Sequence, residues 1–265
     1  MHDYGSKAMK KGLKIVLGLL LVGVIGYSGW KIYGMLSGYR KAERSYLSLQ
    51  QRYTSQPESQ APNLRKTEET SPEEAASPLP ISVDFPQLMA ENGDIVGWLY
   101  CPDTPINYPV VQGKDNDYYL HRGLHGESLV SGTLFADYRN TGPGEDRNYI
   151  LYGHNMKDGS MFASLANHRD QEYYDAHPVI YYLTPSKNYV IRLLFGAVVN
   201  TDSLIYMPNP NDAALDAFLE NGMRYSPFQS GAELDADSSY VTLSTCTYEY
   251  DDARYIVVGR LEELA

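Results

Sequence analysis

Residues 241–258 read "VTLSTCTYEYDDARYIVV". An apolar strand pattern ends in Cys246, a polar loop follows, and Arg254 opens a second strand pattern. A thiol becomes a nucleophile as its thiolate, which requires a base or a cationic partner. Arginine stays charged and presents a fork of donors that can hold a substrate backbone or a developing oxyanion. Strand alternation puts Tyr240, Thr242, Ser244 and Cys246 on one face. Residues 247–253 read as a hairpin loop, so Cys246 and Arg254 should line the same rim. The plainer alternative is a buried strand cysteine and a surface arginine paired with Asp251 or Asp252. Among six histidines, His154 alone ends a strand run, "NYILYGH", ahead of the turn "NMKDGSMF". His121, His125, His168 and His177 sit in polar stretches without an apolar strand leading into them. Cys246, His154 and Arg254 are thus candidates for thiol chemistry at a carbonyl, although spacing alone does not join them.

Eight β-type runs are available to position these residues. They are "DIVGWLYC", "INYPVVQ", "GTLFADY", "NYILYGH", "VIYYLT", "NYVIRLLFGAVVN", "SYVTLSTC" and "RYIVVGRL", nearly all separated by turn residues. Helical patterns are few: residues 84–92 with Asp84 as N-cap, "SMFASLANH" after His154, and residues 211–225. The predicted fold is mainly β, a closed or nearly closed eight-stranded barrel, with a β-sandwich as the alternative.

The first forty residues differ from the rest. Lys7, Lys10, Lys11 and Lys14 precede the apolar run at residues 15–30, which reaches spanning length with Leu13 and residues 32–36. Residues 13–36 are therefore predicted to be a retained membrane anchor and residues 1–12 a cytoplasmic tail, with the folded part outside. A cleavable signal peptide is the rival, but no A-x-A-like site follows the run. Residues 37–80 read as a tether: a polar stretch with helical spacing (Tyr39, Tyr46, Leu47, Leu49, Tyr53), then a Pro/Ser/Glu-rich segment unable to bury a core. The catalytic domain is predicted over residues 81–265. The formal charge of −11 gives no basic face for nucleic acid. Two cysteines make this no disulfide-stapled scaffold, and 24 tyrosines suit pleated, half-buried surfaces.

"TLSTC" at residues 242–246 matches the TLxTC signature of the sortases, transpeptidases of Gram-positive cell surfaces. "LYGHNMKDGSMFASL" at 151–165 resembles the histidine segment of class B sortases, and residues 94–122 resemble their N-terminal barrel segment. The resemblance covers about residues 85–261. It implies an eight-stranded barrel with an N-terminal helical extension and a helix before the cysteine strand. It also implies Cys246 as nucleophile, His154 as catalytic histidine and Arg254 as the arginine of the following strand. Asn116, Leu120, Tyr152 and Ser244 match groove positions, and Ile205 and Tyr206 are expected to wall the same groove. The implied reaction cleaves a C-terminal sorting motif (NPxTN- or LPxTG-like) of a secreted protein after threonine. The acyl group passes through a thioester to an amine of a peptidoglycan precursor, and neither metal nor cofactor is called for. Pilus polymerisation is the alternative within the family, and a non-catalytic surface β-domain the alternative outside it. Cys101 occupies a place usually taken by an aliphatic residue and reads as a small buried hydrophobe. L,D-transpeptidases use a compact cysteine–arginine motif, and papain-like peptidases place cysteine before histidine; this chain does neither.

Overall fold

The computed structural model describes residues 3–56, 79–235 and 237–264. The chain forms two compact units, Met1–Arg44 and Ser45–Ala265. The first is helical throughout its described length, as part of helix α1 (Asp3–Tyr53). This helix is long and apolar enough to cross a membrane, and large apolar side chains from Leu17 to Leu36 are exposed along it.

The second unit opens at Ser45 and not at Ile81, where the composition shift had put the start of the domain. The last turns of α1 explain this. Tyr46, Leu49 and Tyr53 recur on one helical face and are buried. The Tyr46 hydroxyl donates to the Gly132 carbonyl, and its ring meets Tyr108 edge-on at 5.0 Å. Gln50 Nε2 donates to the Asn107 carbonyl at 2.7 Å. Thr54–Ser55 then pairs antiparallel with Ser82–Val83. From residue 57 to 78 the predicted tether lies outside the described residues.

Helix α2 (Phe85–Glu91) is capped by Asp84, whose side chain accepts from the Gln87 N–H at 3.1 Å, and it buries Phe85 and Leu88. Eight strands follow: β1 (Ile95–Tyr100), β2 (Asn107–Val111), β3 (Leu134–Ala136), β4 (Asn148–Tyr152), β5 (Val179–Leu183), β6 (Asn188–Asn200), β7 (Tyr240–Cys246) and β8 (Ala253–Leu264). They close into a barrel in the order β8-β6-β5-β1-β2-β3-β4-β7, which excludes the sandwich. Two pairs are parallel, β2 with β3 and β4 with β7; the rest are antiparallel.

The helical pattern after His154 becomes a 3-10 helix over Ala163–Arg169. It is followed by a short helix the sequence reading did not single out, α3 (Gln171–Ala176), capped by Asp170. Helix α4 (Asp212–Tyr225) has Asn211 as N-cap and buries Leu215 and Leu219. Those two pack with Phe195, Ile205, Tyr240, Ile256 and Val258. Tyr240, Ile256 and Val258 belong to the even-numbered face of β7 and β8. The last rung of that face carries Cys246 and Arg254.

Candidate active site

Strands β4 and β7 run in parallel, with Asn148 beside Tyr240, Ile150 beside Thr242 and Tyr152 beside Ser244. Their C-terminal ends therefore coincide. Two residues past each end of this register stand His154 and Cys246. The Gly153 N–H donates to the Ser244 carbonyl at 3.1 Å, and Asn155 Nδ2 donates to the Cys246 carbonyl at 2.8 Å. The chain after β4 is thus stitched to the end of β7. A Cβ at Gly153 would lie 2.4 Å from Leu134 Cδ2 and 2.7 Å from Phe162 Cγ, so a larger residue there would have to displace those side chains.

On the other side of β7, Cys246 is the antiparallel partner of Arg254. The next rung is closed by the Thr247 N–H donating to the Ala253 carbonyl at 3.1 Å. Hydrogen-bonded and narrow rungs alternate, so the Cys246–Arg254 rung is a narrow one, with Cβ atoms roughly 4.5–5.5 Å apart. Arg254 Nη1 donates to the carbonyl of Ala253 at 3.0 Å. The loop beyond Cys246 is held by Glu249, which accepts from Thr247 Oγ1 and from Arg169 Nη2. The Thr247 bond first, and the Arg169 bond second, hold the Glu249 carboxyl down at about 2.

His154 Nε2 lies 2.7 Å from the Leu120 carbonyl oxygen. A carbonyl only accepts, so Nε2 carries the hydrogen and Nδ1 is left free for exchange. The imidazole also stacks on His121, with ring centroids 5.8 Å apart and 24° between planes.

These side chains share a groove of about 490 Å³. Eight of the nine residues singled out from the sequence line it: Cys246, His154, Arg254, Asn116, Leu120, Tyr152, Ser244 and Tyr206. Ile205 is the exception, and the expectation that it walls the groove does not hold. It is fully buried and packs with Leu215 and Leu219 of α4, while Tyr206 beside it turns toward the groove. Within a single helical turn over Leu204–Tyr206, neighbouring residues cannot both face the same way. Tyr206 Oη lies 2.9 Å from Ser244 Oγ, and burial, opposed by that contact, pushes the phenol up to about 12.

Two further residues at this site had gone unnoticed. Asp137 and Arg139 sit just after β3, and Arg139 lines the groove. The available signal was "FADYRN", an acid directly after an apolar strand with an arginine two residues on. Cys101 is a free thiol at 0% exposure. Burial, opposed by a hydrogen bond with Thr104, pushes it up to about 11. Cys246 is also free and half-buried.

Comparison with known proteins gives this barrel and groove a class. The sortase domain family matches residues 99–262, and the chain belongs to the sortases, which are cysteine transpeptidases. Within that family its similarity is to class B. Sortase B of Listeria monocytogenes is 34% identical over 250 residues, covering 92% of this chain and 95% of that protein. The crystal structure of sortase B from Bacillus anthracis aligns with a TM-score of 0.69 at 33% identity, over 86% of this chain and 99% of that one. A sortase B–substrate complex from Staphylococcus aureus aligns with a TM-score of 0.64 at 31% identity, over 68% and 85%.

Proposed function

We propose that this sortase cleaves a C-terminal sorting motif of secreted proteins after threonine and transfers the acyl group to an amine of a peptidoglycan precursor. The observation that carries the reading is the coincidence of the β4 and β7 ends, with Arg254 on the facing rung. In the proposed reaction the Cys246 thiolate attacks the threonine carbonyl carbon. The oxyanion of the tetrahedral intermediate is held by Arg254 and by backbone N–H groups. His154, protonated and anchored through Nε2 on Leu120, gives its Nδ1 proton to the leaving amide nitrogen as the C–N bond breaks. The resulting thioester is attacked by the incoming amine. His154 takes the amine's proton, and Cys246 leaves as thiolate.

Tyr152, Tyr206, Ser244, Leu120 and Asn116 form the peptide groove in this reading. The apolar N-terminal helix is the membrane anchor, N-terminus inside and the barrel outside, consistent with the Lys-rich flank. An anchor of this kind confines enzyme, membrane-held substrate and lipid-linked amine to one surface and raises their effective concentration.

The test is incubation with a panel of NPxTN-like and LPxTG-like peptides plus a candidate amine, with products read by mass spectrometry. Cleavage after threonine, with an acyl–enzyme adduct on the peptide containing Cys246, is expected. Cleavage elsewhere, or an adduct on another residue, contradicts the reading.

A further inference from the structure

Asp137 has no part in the acyl-transfer scheme, yet the groove wall converges on it. Its side chain is 0% exposed. Oδ1 accepts from Arg139 Nε at 2.8 Å and from the Arg139 backbone N–H at 3.0 Å. Oδ2 accepts from Arg139 Nη2 at 2.7 Å, Tyr152 Oη at 2.9 Å and Asn116 Nδ2 at 3.0 Å. Three of the donor side chains, Arg139, Tyr152 and Asn116, line the groove.

The network continues beyond the carboxylate. Arg139 Nη2 also donates to the Tyr206 carbonyl at 2.7 Å, and Tyr206 Oη contacts Ser244, two residues before Cys246. The Tyr152 and Tyr206 rings lie nearly parallel, 6.1 Å between centroids and 15° between planes. The Asn116 amide is committed at both ends, since its Oδ1 accepts from the Tyr138 N–H at 3.0 Å. A buried carboxylate is costly, and an apolar residue of similar volume would often serve stability as well. Stability alone therefore does not account for a charge here whose partners belong to one wall of the groove.

We infer that Asp137 is a positioning residue for peptide recognition: its carboxylate fixes Tyr152, Asn116 and Arg139, and through Arg139 the Tyr206 wall, beside Cys246. The inference rests on the proposed reading that the peptide occupies this groove. Asp137 itself touches no reacting atom. Its removal should act on substrate affinity more than on the chemical step.

The experiment uses the full chain, with Asp137→Asn, Tyr152→Phe and the double variant assayed on a sorting peptide that the wild type cleaves. The amide keeps the shape of Asp137 but turns one acceptor into a donor facing other donors. Asp137→Asn should raise KM by about tenfold or more, with a smaller change in kcat. Alkylation of Cys246 by iodoacetamide, followed as a folding control, should proceed within about twofold of the wild-type rate. Tyr152→Phe keeps the ring and loses only the bond to Asp137, so the double variant should be little worse than Asp137→Asn alone. An unchanged KM in Asp137→Asn, or losses that simply multiply, would overturn the inference while leaving the proposed reaction standing. If Asp137→Asn does not fold, Tyr152→Phe and Arg139→Lys, singly and together, provide the same cycle, and additive losses again overturn it. Absence of wild-type turnover on every sorting peptide would overturn the reaction and this inference together.

Discussion

Arg254 stands opposite Cys246 on a narrow rung of the β7–β8 hairpin, one rung from the closing Thr247–Ala253 bond. In the proposed reaction a guanidinium there shares the substrate carbonyl with the thiolate and offers it a planar fork. Arg254→Lys keeps the charge and loses the fork. The expected loss in kcat/KM is about 10²–10³, comparable to losing one preorganised oxyanion donor. Peptide cleavage kinetics measure it directly, and a loss below about threefold would reduce Arg254 to a general electrostatic role. Cys246→Ala should abolish both cleavage and transfer.

The Leu120 carbonyl 2.7 Å from His154 Nε2 dictates the tautomer. Nitrogen-15 spectra of the imidazole should show the neutral ring protonated at Nε2, with Nδ1 bare. A neutral ring protonated at Nδ1 would contradict the proton route proposed here. His154→Ala should lower the cleavage rate by about 10²–10⁴, the usual range for a lost general acid–base.

The two thiols should differ in reactivity. Cys101 is sealed from solvent and pushed up to about 11, while Cys246 lines the groove. Iodoacetamide at neutral pH should therefore modify one thiol per chain in the native state and two after unfolding. Peptide mapping that finds Cys101 modified first would reverse the assignment. Cys101→Ala should leave turnover largely intact.

The domain boundary makes a prediction about truncation. A chain beginning at Ser45 keeps Tyr46, Leu49 and Tyr53 packed in its unit; a chain beginning at Ile81 loses all three. Burying a large aromatic is worth about 3–5 kcal/mol relative to alanine, so the shorter chain should melt several degrees lower. Thermal melts of the two proteins decide it, and equal melting temperatures would mean the end of α1 contributes nothing.

Asp137 also links stability to pH. Burial alone would raise its carboxyl, but bonds from Arg139 first, then from Tyr152 and Asn116, hold it below the usual carboxylate range. A depressed folded value means the stabilisation is complete above the unfolded value of about 3.9 and fades as pH falls through the lower folded value. Arg139 is 43% exposed, so the loss in Asp137→Asn should be about 1–3 kcal/mol, short of the 3–5 for breaking a wholly buried pair. The gap in melting temperature between wild type and Asp137→Asn should hold from pH 8 to 5 and close at more acidic pH. A gap unchanged down to pH 3 would contradict this.

Local physics was enough to determine much of this protein. Period-two patterns bounded by turn residues marked the eight strands, because alternation and turn chemistry act over a few residues. The rung joining Cys246 to Arg254 was legible for the same reason: one short loop connects their strands and leaves little choice of pairing. Asp84 announced its helix through capping, which is also local. Three things were decided only in three dimensions. His154 and Cys246 line one groove because β4 and β7 pair in parallel, and no local signal says which distant strand a strand will choose. Tyr46, Leu49 and Tyr53 looked like part of a tether until the barrel supplied a surface for their face of α1. Asp137 drew no notice in the sequence; it became the centre of a groove wall when Asn116 and Tyr152, from separate segments, joined its neighbour Arg139 in donating to one carboxylate. A buried charge persists only where the fold gathers its partners, and that gathering is a property of the tertiary structure.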